Sequence, residues 1–342
     1  MSQYKRFDDL IFRLDPERAH HLTLQFLALA AAIPPLRSGL RRIFSLDNSA
    51  PKVKAFGLEF ANPVGLAAGY DKNGLAMHGL ACLGFGHLEL GTVTLEAQSG
   101  NPRPRLYRLE EDQALINRMG FPNQGVERLL NRLKSRPQGV VLGINIGKST
   151  DTPIEEASRD YTHLMELVYG SADYLAVNIS SPNTIGLREL QAIRYLDGLL
   201  SDLAEARTRL TAAHGTHRPV LVKLAPDLTD SELEEAIQVI QASGMDGVIV
   251  ANTTIERDGL RAPAREETGG LSGLPLHRRS TDMVRHIRDN TGLTLPIIGV
   301  GGVFGPDQAK EKLDAGATLI QVYTGLVYRG PGLVREILSA IA

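Results

Sequence analysis

From Lys52 onward, short apolar runs alternate with stretches of helical periodicity, and Gly or Pro marks almost every junction. Eight runs stand out: "VGLAAG" from Val64, "HLELGTV" from His87, "VVLGINIG" from Val140, "YLAVNIS" from Tyr174, "VLVKLA" around Leu221, "GVIVANT" from Gly247, "PIIGVGG" from Pro296 and "LIQVYT" from Leu319. Most are apolar without strict alternation, the pattern of strands buried on both faces. Helical segments such as Asp230 to Ala242 and Pro306 to Ala315 separate them. Eight βα units predict an α/β protein whose parallel strands close into a (β/α)8 TIM barrel, a count that suits a barrel better than an open sheet. Ala55 to Pro63 and Arg105 to Leu109 read as extra hairpin strands decorating it.

The first 45 residues follow another pattern. "LTLQFLALAAAI" (Leu22 to Ile33) resembles the apolar stretch of a signal peptide, but Asp8, Asp9, Asp15 and Glu17 interrupt a cationic lead, and His20 and His21 abut the run. As a helix it reaches roughly 18 Å, short of the ~30 Å hydrocarbon core. Pro34 and Pro35 break it, and a second segment mixes Leu36, Leu40, Ile43 and Phe44 with Arg37, Arg41 and Arg42. This amphipathic pair suits either a hairpin lying on an anionic membrane surface or a helical cap on the barrel. Residues 1–45 are thus expected to be a helical extension, and 46–342 the barrel domain.

Composition narrows the partners. With 37 Lys+Arg against 39 Asp+Glu, the 342-residue chain has a formal charge of −2 and gives no electrostatic case for nucleic acid. Its one cysteine, Cys82 in "GLACLGFG", reads as a buried, inert thiol. The nine histidines show no metal-ligand spacing, so no metal is expected.

In a barrel, chemistry belongs at the C-terminal strand ends. There the sequence places Ala68, Gly69, Tyr70, Asp71 and Lys72, then Thr92, Asn145, Asn178 with "SSPN", Lys223, Asn252 with Thr253 and Thr254, Gly301 with Gly302, and Tyr323 with Thr324 and Gly325. A buried polar group without a partner costs about 1–3 kcal/mol, so this concentration implies a polar ligand in the mouth. "GVGG" and "YTG" present glycine-freed N–H groups suited to a phosphate, or are simply tight turns. Lys223 is either a Schiff-base lysine or a fixed charge beside a cofactor. Side-chain amides at Asn117, Asn145, Asn178 and Asn252 could match a flat heterocycle of alternating C=O and N–H groups, with Lys72 for a carboxylate.

The segments "NPVGLAAGYDKNG", "GTVT", "NPRPRLYRL", "INRMGFPNQG", "VNISSPNTIGLR", "ANTT", "GGLSG", "GVGG" and "VYTG" together resemble the dihydroorotate dehydrogenases, in order from about Ala55 to the C-terminus. The N-terminal helix pair resembles the extension of the quinone-dependent class 2 enzymes. The resemblance implies oxidation of (S)-dihydroorotate to orotate on an FMN-binding barrel, in pyrimidine (UMP) biosynthesis, with electrons passed to a membrane quinone. It implies Ser181, where class 1 relatives carry cysteine, as the base that takes a proton from C5 while hydride leaves C6. Thr184 and Phe121 would shape a water-mediated proton path. Lys72, Asn117, Asn178, Asn183, Asn252 and Thr253 would hold the substrate. Ala68, Gly69, Lys72, Thr92, Asn145, Asn178, Lys223, Gly273, Gly302, Tyr323 and Thr324 would surround FMN, with Lys223 stabilising negative charge on the reduced ring. His20, Arg103 and Tyr323 would line the quinone path.

The same resemblance implies a peripheral protein on the cytoplasmic face of the membrane, and a monomer is favoured. One departure is Ala251, where many relatives carry threonine in "TNTT", so that a hydroxyl contact near FMN passes to backbone or is lost; Tyr70 stands where relatives vary. Two competing readings are a phosphate-binding barrel lyase using Lys223 as Schiff base, and a flavin-binding membrane protein without turnover.

Overall fold

The computed structural model describes residues 12–46 and 51–341; Asp8 and Asp9 lie outside them. Helix α1 (Pro16–Ala32) starts at a proline and is capped by Asp15, whose carboxylate accepts the Arg18 N–H at 3.0 Å. It therefore begins six residues before the apolar run that announces it, and its 17 residues reach about 26 Å. Among the described residues no helix is long and apolar enough to cross a membrane. After Ile33 the chain turns into α2 (Pro34–Phe44), which buries none of its side chains.

Hairpin β1 (Val53–Ala55) and β2 (Leu58–Phe60) leads to β3 (Val64–Leu66), short α3 (Met77–Ala81) and β4 (His87–Val93). Next come β5 (Leu106–Leu109), β6 (Ala114–Asn117) and α4 (Val126–Leu133). The alternation then runs β7 (Val141–Ile146), α5 (Ala157–Val168), β8 (Tyr174–Asn178), α6 (Ile193–His214), β9 (Val220–Leu224), α7 (Asp230–Ala242) and β10 (Gly247–Val250). It closes with β11 (Gly270–Gly273), α8 (His277–Thr291), β12 (Ile297–Val300), α9 (Pro306–Asp314), β13 (Leu319–Val322), α10 (Thr324–Arg329) and α11 (Leu333–Ile341).

Strands β3, β4, β7, β8, β9, β10, β12 and β13 pair in parallel and close on themselves, so the eight apolar runs are the eight staves of the barrel. The expected strand at Arg105 to Leu109 is β5, but it belongs to a three-stranded antiparallel sheet with β6 and β11 that the apolar pattern does not announce. Strands β6 and β11 meet across more than 150 residues of chain, beyond the reach of local patterning. The hairpin expected over Ala55 to Pro63 starts two residues earlier, and the helix expected to reach Ala315 ends at Asp314.

Side chains facing outward from the staves pack under the helices, while a second layer fills the barrel, including Ala176, Leu221, Ile249, Ile298 and Leu319. Phe60 of β2 closes the floor, edge-on to His87 at 5.5 Å. Two stave glycines make room for rings: a Cβ on Gly65 would lie 2.0 Å from the His87 imidazole, and one on Gly143 would lie 2.1 Å from the Tyr174 ring. Parallel staves buried on both faces thus alternate rings with vacancies across the interior, as dense packing requires. Gly143→Ala should destabilise the fold by about 1–3 kcal/mol through overpacking; an unaltered thermal midpoint would show that the Tyr174 ring is not seated against Gly143.

Candidate active site

A cleft of about 1190 Å³, its open mouth included, lies at the C-terminal ends of the staves beneath the start of α1. Local structure aims Ser181 into it. Asn178 ends β8, and its side-chain oxygen accepts from the N–H and hydroxyl of Ser180 at 3.3 and 3.2 Å, turning the chain so that buried Ser181 lines the cleft. The Ser181 Oγ accepts the Asn183 N–H at 3.3 Å. Phe121, on the facing loop, holds φ +51°, a conformation costing about 1–3 kcal/mol for a residue with a side chain. Its carbonyl is pinned by the side-chain amides of Gln98 at 3.1 Å and Asn123 at 2.9 Å.

The amides form a connected set. Asn178 donates to Thr92 Oγ1 at 2.9 Å, Thr92 donates to Asn145 Oδ1 at 2.5 Å, and Asn252 donates to Asn178 Oδ1 at 3.2 Å and Ser180 Oγ at 3.0 Å. Across the mouth Asn183 donates to Asn117 at 3.1 Å. Fixed in this way, Asn117, Asn178, Asn183 and Asn252 each present a defined edge to the cleft, as recognition of a planar ring demands.

Beneath them lies a residue the motif reading passed over. Glu89, 0% exposed, accepts from Asn145 at 2.8 Å, Gln321 at 2.8 Å and Tyr174 at 3.2 Å, and faces the Lys223 ammonium at 3.5 Å. Burial and the Glu89 charge push the Tyr174 phenol well above its ordinary range. An acid inside the apolar run "HLELGTV" was itself a signal, because a carboxylate buried on both faces of a sheet must find partners. Gln321 in "LIQV" carried the same signal.

At the entrance, α1 is tied to the barrel by Glu17, which accepts from Arg103 at 2.9 Å and from Arg105 at 2.7 Å. Burial raises the Glu17 pKa, but the hydrogen bonds from Arg105 and Arg103 outweigh it and hold the carboxyl below its usual value. Beside it, Lys72 donates to the Gly69 carbonyl at 2.8 Å. Burial, with the Arg105 charge, lowers its pKa to about 8. His20 packs edge-on against Tyr70 at 4.9 Å, and burial together with the Lys72 charge lowers its pKa to about 3, leaving a neutral ring.

At the C-terminal ends of β12 and β13, across the barrel from β8, Gly302, Val303, Thr324 and Gly325 line the cleft, and their N–H groups find no acceptor among the described residues. Such a cluster of free donors suits an anion. Thr324 shares a 2.8 Å hydrogen bond with Ser272 of β11, which couples the small sheet to this end of the cleft.

Most residues nominated from sequence meet on this one surface: Ser181, Phe121, Lys72, Asn117, Asn178, Asn183, Asn252, Thr253, Ala68, Gly69, Thr92, Lys223, Gly273, Gly302, Tyr323, Thr324 and His20 all line it. Three stand back. Asn145 is fully buried and acts through Thr92 and Asn178. Thr184 is buried, and its hydroxyl has no partner among the described residues. Arg103 is 67% exposed and turned to Glu17. Ala251 lines the cleft, with its N–H bonded to the Val300 carbonyl at 3.0 Å. Cys82 is buried away from the cleft, and burial raises its pKa. Glu17 had no distinguishing signal in the sequence, whereas Arg105 and Ser272 fall within the segments "NPRPRLYRL" and "GGLSG", in which neither was given a role.

Residues 51–342 match the dihydroorotate dehydrogenase family profile. The chain is 48% identical over 333 residues to a dihydroorotate dehydrogenase (quinone) of Burkholderia thailandensis, covering 97% of this chain and 95% of that one. It is 49% identical over 334 residues to one of Pseudomonas putida, covering 97% and 96%. A crystal structure of the DHODH of Eimeria tenella in complex with ferulenol superposes with a TM-score of 0.87 at 37% identity, over 96% of this chain and 90% of that one. Profile, relatives and barrel agree, and the chain belongs to the dihydroorotate dehydrogenase family.

Proposed function

We propose that this chain oxidises (S)-dihydroorotate to orotate in pyrimidine biosynthesis, using FMN in the cleft and a membrane quinone as final acceptor. The carrying observation is that one cleft gathers Ser181, Lys72, the fixed asparagines and Lys223, the last backed by buried Glu89. FMN suits the surroundings: the free N–H groups of Gly302, Val303, Thr324 and Gly325 fit its phosphate, and Lys223 places positive charge beside its ring system. When bound, it supplies the two-electron acceptor that no side chain can provide.

The protein's own groups do the rest. Lys72 holds the substrate carboxylate, while Asn117, Asn178, Asn183, Asn252 and Thr253 bind the ring's imide edges. Ser181 takes the proton from C5. A hydroxyl is a poor base at its free pKa, and the unpartnered Thr184 hydroxyl three residues along the same loop supports a water-mediated exit for that proton, with Phe121 excluding bulk solvent. Lys223 already faces a buried carboxylate, an arrangement suited to a fixed charge and poorly suited to the neutral amine of a Schiff-base lyase.

Residues 1–45 serve as the membrane and quinone-access segment and 46–342 as the catalytic domain. Leu22, Phe26 and Leu29 of α1 and Leu36 and Ile43 of α2 are exposed, with Phe26 and Leu29 each 64% accessible. They form a greasy surface, accompanied by Arg37, Arg41 and Arg42, for anionic lipid on the cytoplasmic face. His20 and Tyr323 on the cleft wall, with Arg103 at the entrance, lie along the quinone's path. A monomer suffices for every group in the cleft.

The decisive experiment is anaerobic addition of dihydroorotate to purified yellow protein. Bleaching followed by recovery with a soluble quinone analogue is expected; a yellow protein that stays yellow would favour a binding role without turnover, and borohydride trapping at Lys223 would favour a lyase. Ser181→Ala should slow flavin bleaching by about 10²–10⁴-fold while orotate binding is kept; normal bleaching would remove Ser181 from this role. An anionic ligand favours the charged form of Lys72, so orotate affinity should be full below pH 8 and fall as pH rises through about 8. Lys72→Met should weaken binding and flatten that profile in absorbance titrations. Replacing Phe26 and Leu29 together by serine should abolish sedimentation with anionic vesicles yet leave turnover with a soluble acceptor intact; retained vesicle binding would place membrane contact elsewhere.

A further inference from the structure

Lys312 on α9 is 0% exposed, and no carboxylate lies within ion-pair distance of it among the described residues. Its stem runs along β12, where Gly299 leaves the room: a Cβ there would meet the Lys312 Cγ and Cδ at 2.7 Å. The ammonium donates to Ser280 Oγ at 2.7 Å and Thr281 Oγ1 at 2.9 Å, both on α8. Burial pushes it down to about 7, and the charges of Glu311 and Asp282 offset part of that. Isolation of this kind is costly, and one of the two hydroxyls it holds, that of Ser280, lies against the Gly301–Gly302 turn.

Ser280 in turn donates to the Gly301 carbonyl at 3.2 Å, sharing its one hydrogen with the His277 carbonyl at 3.1 Å. Because Lys312 occupies the acceptor side of this hydroxyl, the hydrogen is turned toward those carbonyls. The Gly301–Gly302 peptide is trans, so its carbonyl and its N–H point in opposite directions. Holding the Gly301 oxygen against α8 therefore turns the Gly302 N–H the other way, where Gly302 lines the cleft. Space enforces the arrangement: a Cβ on Gly301 would lie 2.8 Å from Ser280 Oγ, and one on Gly302 would lie 2.4 Å from His277 Cβ.

We infer that Lys312, acting through Ser280, is a positioning residue that aims the Gly302 N–H at a phosphate bound in the cleft. This rests on the reading of FMN as the ligand. The ligand itself is untouched by Lys312, whose part is to orient and polarise the donor peptide.

The test compares FMN with riboflavin, which lacks the phosphate, by titrating the flavin-free full chain and following flavin fluorescence. The wild-type chain should prefer FMN. Lys312→Met should reduce that preference by about 10-fold or more, the worth of a hydrogen bond to a charged group, with riboflavin affinity unchanged. Ser280→Ala should do the same, and it decides the matter alone if Lys312→Met does not fold. A folded variant that keeps the wild-type preference, or loses both affinities in proportion, would reduce Lys312 to a brace between α8 and α9 and overturn the assignment. A wild-type chain with no preference for FMN over riboflavin would instead defeat the phosphate reading, and the assignment with it.

Discussion

The arrangement of the cleft depends on a single buried carboxylate. Glu89 sits inside a closed ring of staves, where an unpartnered negative charge could not persist, and it recruits Asn145, Gln321, Tyr174 and Lys223 from four other strands. Through Asn145 the set continues to Thr92, Asn178 and Asn252, so amides at the rim are oriented by an acid deep in the barrel. The same carboxylate faces the Lys223 ammonium, which reaches the cleft. Positioning of the heterocycle's partners and provision of fixed positive charge are thus one electrostatic problem with one solution.

Room for that solution comes from vacancies as much as from side chains. Gly65 and Gly143 admit the His87 and Tyr174 rings, and Phe60 seals the floor beneath them. Among the described residues the polar layer is therefore closed from below by packed rings and opens toward the mouth, where lowered dielectric strengthens every hydrogen bond offered to a ligand. Glycine recurs at the far end of the cleft for a different reason: Gly301 and Gly302 lie against α8, with positive φ, so that backbone itself becomes the binding surface.

The N-terminal helices are joined to this design by charge. Glu17 reaches from α1 to Arg103 and Arg105 and stands on the cleft wall beside Lys72 and His20, so the entrance is built from both the extension and the barrel. Close packing supports the joint: a Cβ on Gly79 of α3 would lie 2.4 Å from the Leu27 carbonyl of α1. The face of α1 turned away from α3 keeps Leu22, Phe26 and Leu29 in contact with solvent.

Much of this was legible in the sequence. Eight two-sided apolar runs declared the barrel, because strands buried on both faces have no polar side to show, and polar residues at the ends of those runs declared the cleft. The breaks at Pro34 and Pro35 declared the two helices. What only the tertiary structure decided were pairings between distant segments: β6 with β11, Glu17 with Arg105, and Lys312 with Ser280 behind the Gly301–Gly302 turn. Local sequence records whether a residue prefers burial and which backbone angles it tolerates. Which partner makes the burial of a charge tolerable depends on where the chain returns in space, and that is why nothing local in the sequence marks Glu17 or Lys312 for burial.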